Sequence, residues 1–199
     1  MKIFYMNQGG AKTNVWGGIS YSNYDILLLA ESDQEKKDFS LDWYSKDSTP
    51  VMSVQTSANH RTRVIENIED VDGTSRHVRP LVRFHIKGTN IRVYFFHLKS
   101  ASEKAASEAL KTAVEAEKAD IKLGGNRKVL WIGDFNRADD EVLQELRPCD
   151  LLIAAGGVSK WPLDRVYATG SWGKGEVTAG KITQSTDNAH AGVAVELNI

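Results

Sequence analysis

The chain of 199 residues is poor in cysteine and proline, with one of the former, Cys149, and four of the latter. A single cysteine excludes an internal disulfide, so the fold rests on its apolar core; this suits a reducing compartment without demanding one. No apolar run approaches the length of about 20 residues that spans a bilayer, so no membrane insertion is expected. The opening "MKIFYMNQGG" has one lysine and a short apolar stretch, too little for the core of a secretory signal. The localisation expected from it is cytoplasmic, or that of an already processed, secreted effector. Excess charge is lacking too: 25 Lys and Arg against 26 Asp and Glu leave a formal charge of -1. With no global field to attract nucleic acid or an anionic membrane, any phosphate-binding surface must be local. Neither a Gly-x-x-x-x-Gly-Lys phosphate loop nor a dinucleotide fingerprint occurs, and there is no low-complexity tract or solenoid repeat.

What is present is a composition of 41% hydrophobic and 26% charged residues, that of a globular protein, at a length that fits one domain over 1–199. "KIFYMN" (2–7) and "YDILLLAESD" (24–33) read as strands buried on both faces, with polar residues at their C-terminal tips. Residues 34–60 read as a loop region with one short strand around 51–55. Three strand signals follow at 62–70, 79–88 and 90–100, the last two joined by a "KGTN" hairpin turn, so this section is antiparallel. Residues 100–125, rich in Ala, Glu, Lys and Leu and closed by Gly124 and Gly125, predict a helix. "RKVLWIGDFN" (127–136) is again a buried strand, residues 138–147 a short helix, and 162–170 and 191–198 further strands. Strands in two groups with helices between some of them favour an α+β fold, a four-layer α/β/β/α sandwich of two mixed sheets flanked by helices.

Several strands end in groups that bind metal or phosphate: Asn7, Glu31, His97, and Asp134 with Asn136. For any one of them a solvated loop start is the plainer reading. Together they carry more weight, because strands of one sheet bring their ends to one crevice. Glu31 is either a loop carboxylate or a ligand for a hard cation. Asp134 and Asn136, two apart, point to the same side of an extended segment with Phe135 turned into the core; the alternative is a turn or helix cap. His97, paired with a second strand-boundary histidine, His190, is a candidate for acid and base work near neutral pH. Arg83, His85 and Lys87 share one parity and read as a solvated face, while Trp161 and Trp172 either rim a cleft as stacking surfaces or pack.

Taken in order, "MNQGG", "DILLLAESD", "RPLVRFHIKGTNIRVYFFHLKS", "VLWIGDFNRADDEVL", "PLDRVYATG" and "HAGVAV" resemble the endonuclease/exonuclease/phosphatase superfamily typified by pancreatic deoxyribonuclease. Arg79 with Pro80, the strand to His97 and "GDFNR" are most similar to the catalytic subunits of cytolethal distending toxins. The resemblance touches most of the chain, residues 34–75 only loosely. It implies a two-sheet sandwich carrying divalent-metal phosphodiesterase or phosphatase chemistry. Asn7 and Glu31 would help hold Mg2+, with Mn2+ or Ca2+ as alternatives. Arg79, His97 and Asn136 would contact the phosphate, and Asp134 with Asn136 would position the nucleophile. Asp164 would orient His190, the general base.

The sequence departs from the family at one point. Where Ser-Asp-His is usual, matching His190 leaves Asn188 and Ala189, and Ala189 cannot bind metal. Asp187, three residues before His190, replaces the missing ligand if the loop bends; otherwise Asn188 supplies a weaker oxygen or the metal site is impaired. The expected function is a Mg2+-dependent DNA endonuclease acting as a monomer, any delivery subunit being unknown. The alternatives are a phosphatase on phosphoinositides or other phosphate esters, and a catalytically weakened phosphate- or nucleic-acid-binding protein.

Overall fold

The structure is a computed structural model that describes residues 1–7, 20–31, 38–45, 52–59, 63–71, 81–98, 103–122, 127–149, 151–156, 164–182 and 192–199. Its elements are β1 (Lys2–Asn7), β2 (Ile26–Ala30), β3 (Phe39–Tyr44), β4 (Met52–Ser57), β5 (Ile65–Asp70), β6 (Leu81–Ile86), β7 (Ile91–His97), α1 (Glu103–Lys122), β8 (Lys128–Asp134), α2 (Asp139–Leu146), β9 (Leu151–Gly156), β10 (Asp164–Gly170), β11 (Val177–Ile182) and β12 (Gly192–Leu197). Short 3-10 turns cover Tyr21–Asn23 and Arg147–Cys149.

The strands form two six-stranded sheets, β11-β12-β1-β2-β4-β3 and β5-β6-β7-β8-β10-β9. Each sheet is mixed in the same way, with a single parallel pair at its centre, β1 with β2 and β7 with β8, and antiparallel neighbours outside it. This is the expected sandwich. Its core fills the space between the sheets: Ile3, Tyr5, Ile26, Leu28 and Val54 of the first pack against Phe84, Val93, Phe95, Leu130, Ile132 and Val166 of the second. Strict alternation decides which residues these are, because every second side chain of a strand faces the partner sheet.

The opposite parity explains the continuous apolar runs. Tyr94, Phe96, Val129, Trp131 and Tyr167 point out of the second sheet and are covered by Ala106, Ala109, Leu110, Ala113 and Val114 of α1 and by Val142 and Leu146 of α2. The α1 positions recur at three- and four-residue spacing, one apolar stripe of an amphipathic helix. Trp131 lies between Tyr94 and Tyr167 by sheet register and stacks on Tyr94 at 4.4 Å. On the outer side of the first sheet Phe4, Met6, Leu27, Leu29 and Phe39 pack with Tyr21 and Tyr24, where the described residues place the 3-10 turn.

Two expectations change. The region 34–60 holds two strands, β3 and β4, rather than a loop with one. Arg83 and His85 are half-buried rather than solvated: Arg92 donates from Nε to His85 Nε2 at 3.0 Å, and Arg83 donates from Nε to Glu69 Oε1 at 2.7 Å.

Candidate active site

The polar strand tips sit where the inward parity of each strand runs past the end of the apolar core. Asn7 follows Ile3 and Tyr5, His97 follows Val93 and Phe95, Asp134 follows Leu130 and Ile132, and Asp164 precedes Val166 and Ala168. All four are within 2% of fully buried. Sheet register brings them together: His97 pairs with Asp134 across the parallel β7–β8 ladder, and Asp164 pairs with Asp134 across the antiparallel β8–β10 ladder. Gly133 permits the first pairing, since a Cβ there would overlap the Phe96 carbonyl oxygen.

The first sheet reaches across at two points. Asn7 donates from Nδ2 to Asp134 Oδ2 at 3.1 Å, and the Tyr5 hydroxyl donates to Asp164 Oδ1 at 2.8 Å. Tyr5 joins this cluster, and sequence reasoning missed it, because an apolar strand context reads it as core and its partner lies 159 residues away. Burial, then the carboxylates of Asp164 and Asp134, the hydrogen bond to Asp164 and the charge of Glu31 push its phenol well above the ordinary value of about 10. It therefore stays a proton donor throughout the neutral range.

Two site residues depend on backbone that alternation does not provide. Glu31 (φ 57) and Asn136 (φ 47) both lie in the left-handed region, which side-chain-bearing residues adopt uncommonly and which concentrates at functional sites. An extended Glu31 would point away from the core, since Ala30 points into it. The left-handed turn instead brings Glu31 Oε1 to 3.4 Å from His97 Nε2, and the same nitrogen is 3.7 Å from Asp134 Oδ2. Asn136 is placed by a turn, not by extension: its backbone N–H donates to Asp134 Oδ1 at 3.0 Å and its Nδ2 to the Leu98 carbonyl at 2.7 Å. That amide pins the end of β8 to the end of β7, and Phe135 goes to the outer core as expected.

Asn7, Glu31, His97, Asp134, Asn136 and Asp164 are thus brought to one end of the sandwich. Arg79, Asp187 and His190 lie outside the described residues, as do His60, His77, Trp161, Asn188 and Ala189. Trp172 does not rim this end. It follows Gly170, which pairs with Lys128 at the far end of β8, and there it donates from Nε1 to the Thr169 carbonyl with Lys128 Nζ 5.6 Å from its ring centre.

Among the described residues no three His, Cys, Asp or Glu side chains form a group able to hold a metal ion by themselves. What they offer is a partly exposed Glu31 carboxylate, the Asp134 carboxylate and the Asn7 carboxamide, all hard oxygen donors of the kind Mg2+ takes with retained water. The donor set fits such an ion.

No protein-family model matches the chain, and no curated protein matches it by sequence. Solved structures do match it over essentially their whole length. The cytolethal distending toxin of Actinobacillus actinomycetemcomitans superposes with a TM-score of 0.67 at 12% identity, over 100% of this chain and 98% of that one. Truncated TDP2 of Caenorhabditis elegans gives 0.64 at 14%, over 98% and 97%, and D. rerio TDP2 complexed with a single-strand DNA product gives 0.60 at 16%, over 100% and 99%. At these identities the likeness concerns the fold. The chain therefore has the fold of the deoxyribonuclease-like endonuclease/exonuclease/phosphatase superfamily, the one that its ordered strand-tip motifs resemble.

Proposed function

We propose that the chain is a divalent-metal-dependent phosphodiesterase that hydrolyses phosphodiester bonds in DNA. The observation that carries this reading is the convergence of Asn7, Glu31, His97, Asp134 and Asp164 at one end of the intersheet core. A similarly folded protein that holds a single-strand DNA product supports the choice of nucleic acid over a lipid phosphate.

In this reading Asn7 and Glu31, joined by Asp187, would hold Mg2+, which would supply charge neutralisation at the non-bridging phosphate oxygens. His97 and Arg79 donate hydrogen bonds to the same phosphate. Asp134, its carboxylate plane fixed by Asn7 and by the Asn136 backbone, positions the attacking water. A ring nitrogen of His190 takes the proton from that water as its oxygen bonds to phosphorus and the P–O bond to the leaving group breaks. Asp164 holds the imidazole in one tautomer and favours its protonated form.

Incubation with supercoiled plasmid tests the reading. Nicking in Mg2+ that stops with EDTA and with His190→Ala is the expected result. Phosphate release from inositol lipids without nicking would move the function to a phosphatase. DNA binding without turnover would mark a weakened site, as Ala189 in the usual ligand position allows.

A further inference from the structure

We infer that Tyr5 is a positioning residue of this site: its hydroxyl fixes the Asp164 carboxylate, and through it the group that Asp164 orients. The inference rests on the phosphodiesterase reading. Strand β1 presents residues 5 and 7 on one face, and each reaches across the sandwich to one member of a register pair. Tyr5 takes Asp164 at 2.8 Å, and Asn7 takes Asp134 at 3.1 Å. A single strand of the first sheet therefore clamps the two carboxylates that stand side by side on the second.

The chemistry requires such a donor. Asp164 is wholly buried, and a carboxylate taken out of water needs hydrogen-bond donors in place of its hydration. An orienting carboxylate must also be held in one rotational state, or the tautomer it selects is lost. Tyr5 meets this need because its own ring is packed on all sides: it is fully buried and meets Phe95 edge-to-face, centroids 5.8 Å apart. Its hydroxyl is the only part of the side chain devoted to Asp164. Removing that one atom separates positioning from packing.

The test compares wild type, Tyr5→Phe, Asp164→Asn and the double variant on a fluorescently labelled DNA duplex in Mg2+, with thermal unfolding in parallel. Tyr5→Phe is expected to lower kcat by about tenfold, as loss of a charge-assisted hydrogen bond does, with KM within about twofold. In the Asp164→Asn background the same substitution is expected to change kcat by less than about twofold, because the group it acts through is gone. A purely structural role would lower the melting temperature and leave kcat of the folded enzyme unchanged, or lower kcat equally in both backgrounds; either result overturns the inference. Wild type inert on the duplex and on inositol lipids would overturn the phosphodiesterase reading along with it. An active wild type matched by Tyr5→Phe would overturn the positioning role alone.

Discussion

Two polar clusters are buried against opposite faces of the second sheet, and they are built on different principles. Under α1, Arg92 donates from Nη1 to Glu117 Oε2 and Asp120 Oδ2, each at 2.6 Å, the Tyr94 hydroxyl reaches Glu117 Oε2 at 3.0 Å, and Arg127 reaches Asp120 Oδ2 at 2.8 Å. Two guanidiniums meet two carboxylates, so the cluster neutralises itself. At the tip of the intersheet core, by contrast, Glu31, Asp134 and Asp164 gather with His97, and the donors described at the two aspartates are neutral: the Tyr5 hydroxyl, the Asn7 amide and the Asn136 backbone. A self-neutralised cluster fixes a helix on a sheet. The cluster at the strand tips is the one that the proposed phosphodiesterase reading assigns to a cation and a phosphate.

The largest difference is expected from Asp134→Ala. Turnover on DNA should fall by roughly a thousandfold or more while the circular dichroism spectrum stays that of a folded protein, at a cost of about 1–3 kcal/mol for the Asn7 and Asn136 donors left without their acceptor. His97→Ala is expected to behave alike. The outer cluster should answer in the opposite sense. Arg92→Ala leaves Glu117 buried without its cation and is expected to cost about 3–5 kcal/mol in denaturant unfolding, with kcat of the folded fraction unchanged. If Arg92→Ala instead abolished catalysis at intact stability, the division between the clusters would fail.

Glu31→Gly sharpens the comparison at one position. Relief of the left-handed backbone is expected to raise stability by about 1 kcal/mol, while the Mg2+ concentration for half-maximal turnover rises. A smaller effect is expected from pH. Burial, then the charges of Arg92 and Arg83, hold the His85 pKa below its ordinary value of about 6.5, against the weaker opposing pull of Glu66 and Glu69. The folded state thus binds this proton less readily than the unfolded chain. Its contribution to stability is full above the unfolded pKa and is lost as pH falls through the folded one. Unfolding curves of His85→Gln should therefore lose part of the decline seen in wild type below about pH 6.5.

The parts of the fold that were legible in the sequence are those packed on two sides. β1, β2, β7 and β8 read as strands because neither parity can be polar in the middle of a layered sandwich. β3, β9 and β11 were not read as strands, and each is an edge strand of its sheet. An edge tolerates "FSLDWY" or "VTAGKI", in which polar and small residues blur the alternation. The site divides along a similar line. Asn7, His97, Asp134 and Asp164 continue an inward parity by one step, so a pattern of alternation finds them. Glu31 and Asn136 reach the site only through left-handed backbone, which residue type does not announce in a glutamate. Tyr5 was hidden because its ring belongs to the core and only its hydroxyl to the site.

The most direct measurement is nicking of supercoiled plasmid by the wild-type chain and by Asp134→Ala, both assayed below their melting temperatures, with and without Mg2+. Cutting by the wild type in Mg2+ alone, and none by the variant, is the result expected of a phosphodiesterase built at these strand tips. Equal cutting by both proteins, or cutting that survives EDTA, would contradict it.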